Sequence, residues 1–92
     1  MLNRLQILDV TVSKEFLTVT LSNGRIISVP VAWYPRLMQG TIAECHHWRL
    51  IAGQEGIHWP DLDEDISLKN ILLGQPSGES QPSLQKWLSS RQ

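Results

Sequence analysis

The stretch Glu55-Gly56-Ile57-His58-Trp59-Pro60-Asp61-Leu62-Asp63-Glu64-Asp65-Ile66 decides how this chain is read, because an apolar alternation, a proline stop and an acidic cluster follow one another in it. Ile57 and Trp59 fall on one side of an extended segment and His58 on the other, the period of a strand with one buried face. Pro60 has no amide hydrogen to give a ladder and closes the strand. Ser67 is suited to cap a helix, with Ile66 before it and Ile71 inside the first turn in the spacing of a hydrophobic staple. Leu68, Ile71 and Leu72 form the apolar stripe of that predicted helix, and Gly74 ends it. Asp61, Asp63, Glu64 and Asp65 then lie ahead of the helix N-terminus, where carboxylates favour the positive end of its dipole.

Upstream the period is that of strands. Leu8, Val10 and Val12 alternate with Asp9 and Thr11 over residues 7–13, and Leu17, Val19 and Leu21 alternate with Thr18 and Thr20 over residues 16–21. Lys14-Glu15 breaks the two into a hairpin. Ser22-Asn23-Gly24 is the strongest turn signal, and the apolar pattern selects its length. A two-residue loop sets Val19 opposite Ser28 and mixes the faces, whereas a three-residue loop with left-handed Gly24 pairs Val19 with Ile27 and Leu17 with Val29. The meander that results has one apolar face in need of cover.

Pro30 ends the third strand. Pro35 starts and Gly40 stops a short helical turn, and Thr41 with Glu44 has the spacing of a capping box for a helix over residues 42–48. Ile42, Cys45 and either Trp48 or the stem of Arg49 face the sheet on this reading; residues 49–52 suit a helix end or a short strand. Residues 75–82 are polar and rich in breakers. They lead to a helix over residues 83–91 with Leu84, Trp87 and Leu88 on one face, too short to persist unless Trp87 docks on this domain or on a partner. The expected fold is α+β: a small antiparallel meander with additional short strands and three or four short helices packed on one face. Residues 1–74 form the single domain, and residues 75–92 a linker and short helix that is not a separate domain.

At 92 residues, with 41% hydrophobic and 18% charged side chains, the chain is one ordinary globular domain. A net charge of −1 offers no basic footprint for a phosphate backbone, which argues against nucleic acid as the partner of the domain alone. The single cysteine, Cys45, excludes a disulfide framework and suits a reducing cytoplasm. The first residues lack the apolar core of a signal peptide, and no run approaches the roughly 18 apolar residues of a membrane span. A cytoplasmic protein with no membrane attachment is expected.

Chemistry-bearing groups are sparse. Asp61, Asp63 and Asp65 open like a calcium loop, but Ile66 stands where glycine is needed and Leu72 where a bidentate glutamate is needed. His46 and His47 are neighbours and lack the i, i+4 spacing that chelates zinc on one helix face. A metal set from His46, His47 and His58 with Asp61, Asp63 and Asp65 needs distant segments to converge. Cys45 and His46 do not face each other as a nucleophile and base would. No phosphate loop, dinucleotide fingerprint or nucleophile elbow is present, so no cofactor is expected. Trp48 and Trp59 read as core; Trp33, Tyr34 and Trp87 read either as core or as interface anchors.

The segments Leu17-Thr18-Val19-Thr20-Leu21-Ser22-Asn23-Gly24, Val29-Pro30-Val31-Ala32-Trp33-Tyr34-Pro35-Arg36-Leu37 and Gly56-Ile57-His58-Trp59-Pro60-Asp61-Leu62-Asp63-Glu64-Asp65-Ile66-Ser67 together resemble the bacterial family known as domain of unknown function 2442. The resemblance covers about residues 7–74 and implies a small α+β domain, joined in some members to a helix-turn-helix domain. Members encoded beside small toxin-like proteins imply an antitoxin or regulatory role, and no catalytic residues come with the family. After Gly74 too few residues follow for a helix-turn-helix domain. The expected function is a non-enzymatic interaction module, antitoxin-like, that meets a small basic protein through Trp33, Tyr34, Asp61, Asp63, Glu64, Asp65 and Trp87. The alternative is the metal-binding protein or metal-dependent enzyme built on the histidines and aspartates. The open strand edges of the meander also admit a homodimer.

Overall fold

Strands β1 (Ile7–Val12), β2 (Phe16–Leu21) and β3 (Ile26–Pro30) form an antiparallel meander in that spatial order in the computed structural model, which describes residues 4–91. The expectation of no leader in the first residues rests partly on residues 1–3, which lie outside the described residues. Val19 faces Ile27 and Leu17 faces Val29, the register of the three-residue loop. The Leu21 amide donates to the Arg25 carbonyl at 2.8 Å across that loop, and Gly24 takes φ 88°, a backbone setting that costs a side chain roughly 1–2 kcal/mol.

One inward position differs from the alternation. A bulge between Ile7 and Asp9 skips Leu8, so Ile7 is fully buried while Leu8 is 55% exposed. Beyond the bulge Val10 and Val12 face inward as expected.

A second antiparallel sheet follows in the order β4 (Arg49–Ile51), β5 (Gly56–Trp59), β6 (Glu64–Ser67). Residues 49–51 are thus a strand. β6 corrects the reading of the acidic cluster as a helix approach: Trp59 pairs with Glu64 and His58 with Asp65, so residues 60–63 are a hairpin turn. Leu62 supplies the reason, because its fully buried side chain pulls the turn inward and returns the chain along β5. Asp63 then takes φ 50° to complete the reversal. The helix after it, α3 (Leu68–Leu73), is capped by Ser67, whose Oγ accepts from the Asn70 amide at 3.1 Å, and ended by left-handed Gly74. Six residues turn only Leu68 and Ile71 inward, and Leu72 is 47% exposed.

The two sheets are clamped at residues 52–55. The Ile7 amide donates to the Gln54 carbonyl at 2.8 Å, and the Gln54 side-chain amide returns to the Ile7 carbonyl at 3.0 Å. Between the sheets run a 3-10 turn (Val31–Trp33), α1 (Pro35–Gln39) and α2 (Ile42–His46). The capping box of α2 is present on both sides, but the helix stops at His46 and buries only Cys45; Ile42 is 79% exposed.

One hydrophobic cluster draws on both sheets and on α1, α2 and α3. Its largest member is Trp59, fully buried, whose Nε1 donates to the Cys45 carbonyl at 3.0 Å and so satisfies the end of α2. Leu62 lies against Gly40, where an added Cβ would stand 3.0 Å from a Leu62 methyl and 3.2 Å from the Cys45 sulfur. The last helix, α4 (Gln81–Ser90), carries Leu84 into a buried position. Replacing Leu62 by Ala is expected to cost about 2–4 kcal/mol in urea unfolding, whereas Ile42→Ala is expected to change stability by less than about 0.5 kcal/mol.

Candidate functional site

Arg36 projects from the first turn of α1 toward the hairpin turn, and its guanidinium has to find acceptors because its side chain is only 15% exposed. Nη1 donates to the Asp63 carbonyl at 2.8 Å. Nε and Nη2 donate to the Glu79 carboxylate at 2.9 and 2.6 Å, a two-pronged pair in which Glu79 is itself 10% exposed. Glu79 also accepts from the Ser83 hydroxyl at 2.9 Å.

Three residues of the tail meet the domain in one row, and Ser83 between them braces Glu79. Glu79, Ser83, Trp87 and Arg91 recur every fourth residue, which stacks them on one side of α4 and its entry. The Trp87 ring carries two guanidinium groups against it, Arg36 at 5.0 Å and Arg91 at 4.6 Å from its centroid. Arg91 continues to Glu44 at 2.7 Å and to the Asp61 carbonyl at 3.2 Å. Glu44 is already the closing side chain of the α2 capping box, so the tail is tied to α1, α2 and the acidic turn together. Trp87 therefore docks on its own domain.

The residues singled out from sequence divide. Tyr34 is 3% exposed and belongs to the core, a correction to its reading as an interface anchor: the turn from Trp33 into Pro35 directs the ring inward. Its hydroxyl and the Glu64 Oε2 are buried without a hydrogen-bond partner. Trp33 is half-buried, and its carbonyl accepts from the Ser77 amide at 2.9 Å. Glu64 is partly withdrawn, while the side chains of Asp61, Asp63 and Asp65 remain 43%, 88% and 67% exposed and form an acidic rim beside the docked tail.

The histidines do not converge. His47 pairs with Asp61 at 2.7 Å and His58 with Asp65 at 2.5 Å, as two separate pairs, and His46 is exposed. Among the described residues no three His, Cys, Asp or Glu side chains stand together as a metal site, which corrects the metal alternative. The β5–β6 register sets His58 beside Asp65, while His47, at the end of α2, meets Asp61 in the turn. Cys45 is buried, with its thiol against the Leu37 carbonyl, and burial followed by the nearby Glu44 pushes its pKa up, away from nucleophilic character. A surface groove of about 330 Å³ beside Val12, Leu37, Met38 and Cys45 and one of about 430 Å³ beside Leu5, Leu68 and Leu72 contain no histidine or carboxylate pair suited to acid–base work.

Sequence reasoning gave Glu44 only a capping role and passed over Arg36, Glu79 and Arg91, although the fourfold spacing of Glu79, Ser83, Trp87 and Arg91 is visible in the chain. No helix among the described residues is long and apolar enough to cross a membrane.

Fold and site together define a small two-sheet α+β domain bearing an acidic turn and a docked tail. The chain belongs to the family described as "Protein of unknown function (DUF2442)", which matches residues 7–77. A solved structure of similar fold is a protein of unknown function from Rhodospirillum rubrum, at TM-score 0.70 and 22% identity, covering 84% of this chain and 95% of that one. No protein with a curated description matches the sequence.

The carboxylates of the site titrate in opposite directions. Burial, outweighing the neighbouring Arg36, raises Glu64 from 4.5 to about 7. The unfolded chain ionises Glu64 from its ordinary 4.5, so the folded state carries a cost above pH 7 that fades as pH falls toward 4.5. Glu64→Gln is accordingly expected to raise stability at pH 8 by about 1–2 kcal/mol, allowing for partial exposure, and to leave it unchanged at about pH 4 in urea titrations.

Glu79 and Glu44 are held below their ordinary 4.5, Glu79 by its hydrogen bonds from Arg36 and Glu44 by those from Arg91. Their stabilisation of the docked tail is present above pH 4.5 and is lost as pH falls through the lowered values. Hydrogen exchange followed by NMR is expected to show α4 amides losing protection progressively as pH falls below 4.5 while β2 amides keep theirs. Protection of α4 that falls no more than that of β2 would contradict this.

Proposed function

We propose that this protein is a non-enzymatic interaction or regulatory module for a small basic protein, the antitoxin-like half of a two-protein pair. The observation that carries this is the rim of Asp61, Asp63 and Asp65, three exposed carboxylates on the hairpin turn and the start of β6, with Leu62 buried beneath them. Such a rim steers a positively charged partner and fixes its orientation. The half-buried Trp87, stacked on the Arg91 that reaches the Asp61 carbonyl, supplies aromatic area beside the rim, and the half-buried Trp33 supplies more. Residues 75–92 act as an extension of the one domain. The single thiol, buried and free, suits a reducing cytoplasmic setting.

The test is a tagged pull-down from the native host, nuclease-treated, with wild type and an Asp63→Lys/Asp65→Lys variant run in parallel at low and high salt. A stoichiometric small basic protein is expected with wild type at low salt only, and its association with the variant is expected to slow at least about tenfold. Equal capture by the variant, or capture of no basic protein, would overturn the reading.

A further inference from the structure

The tail occupies its groove in the way a peptide helix occupies a receptor. The receptor side consists of the Arg36 guanidinium, the Asp61 carbonyl and Glu44, all from residues 36–61. The ligand side is Glu79, Trp87 and Arg91, with Ser83 bracing Glu79 from within the tail and Leu84 as the α4 residue that becomes buried. The polar and cation–π contacts are made by side-chain tips, and Trp87 adds packing against the edge of the core. The family match stops at residue 77, so the groove lies within the family domain and its occupant is a segment appended to it. Gln75, Pro76, Ser77 and Gly78 join the two, and Ser77 is tied back to Trp33 just before the tail begins.

We infer that this groove is a receptor for a helix of the pattern Glu-x3-Ser-x3-Trp-x3-Arg, and that its ligand in trans is residues 79–91 of a second copy of the chain. Two copies that exchange tails rebuild every contact seen within one chain, because each supplies one groove and one tail, and the exchange closes on itself as a two-fold dimer. No new complementarity is needed. The short linker gives the chain's own tail an effective concentration on the order of millimolar, so the exchange is favoured by high protein concentration and by any change that removes the tail from its own groove. The inference does not rest on the basic-partner reading, although both draw on Trp87.

Two full-length variants separate the halves. Arg36→Gln keeps the tail and disables the groove; Glu79→Gln/Trp87→Ala keeps the groove and disables the tail. Sedimentation and native mass spectrometry, with folding checked by circular dichroism, are expected to find each variant monomeric alone and a 1:1 heterodimer in the mixture. A fluorescent peptide of residues 78–91 is expected to bind the Glu79→Gln/Trp87→Ala chain at least about tenfold more tightly than wild type, whose groove is filled. No heterodimer from two folded variants would overturn the tail exchange. Peptide binding that is equal for both chains, or absent from both, would overturn the receptor itself, and it decides alone should Arg36→Gln not fold.

Discussion

A guanidinium removed from water must keep its donors occupied, and at Arg36 that requirement organises one end of the molecule. The Asp63 carbonyl is presented to it because the hairpin turn bends inward on Leu62. The Glu79 carboxylate is presented because the chain returns past Trp33 before α4 begins. Remove either and a partly buried charge is left with donors unpaired, a larger loss than the pair itself contributes. The position of the tail is thus a consequence of where α1 starts and where the turn points.

The core makes that placement rigid. Trp59 and Leu62 stand on either side of Pro60, and both are fully buried, so the turn carrying the acidic rim is anchored at two points three residues apart. Trp59 also binds the end of α2 through the Cys45 carbonyl, which holds Glu44 where Arg91 reaches it. Gly40 leaves the room that Leu62 fills. Rim, groove and core are one mechanical unit, in which the apolar residues decide where the charged ones stand.

Much of the backbone was legible from local signals. The three-residue loop at Ser22-Asn23-Gly24, the capping box at Thr41 and Glu44, the Ser67 cap and the Gly74 stop each follow from chemistry within a few residues. What stayed hidden depends on distant partners. Leu8 and Ile7 exchange roles through a bulge that the alternation does not announce. β6 was hidden because its carboxylates resemble a helix approach, and the buried Leu62 that makes the turn is a lone apolar residue among acids. At the site, the acidic rim could be read, but Arg36 and Glu79 are separated by 43 residues and nothing local marks them as a pair.

The family and the similar fold from Rhodospirillum rubrum establish the domain, and the tail adds to it a built-in ligand. The most direct test of that view is a double-mutant cycle of Arg36→Gln and Glu79→Gln, read as the opening free energy of α4 from amide exchange. A coupling of about 1 kcal/mol or more is expected if the two side chains hold the tail as a pair. Additive effects would contradict the account, because the tail would then be held by contacts that do not pass through Arg36.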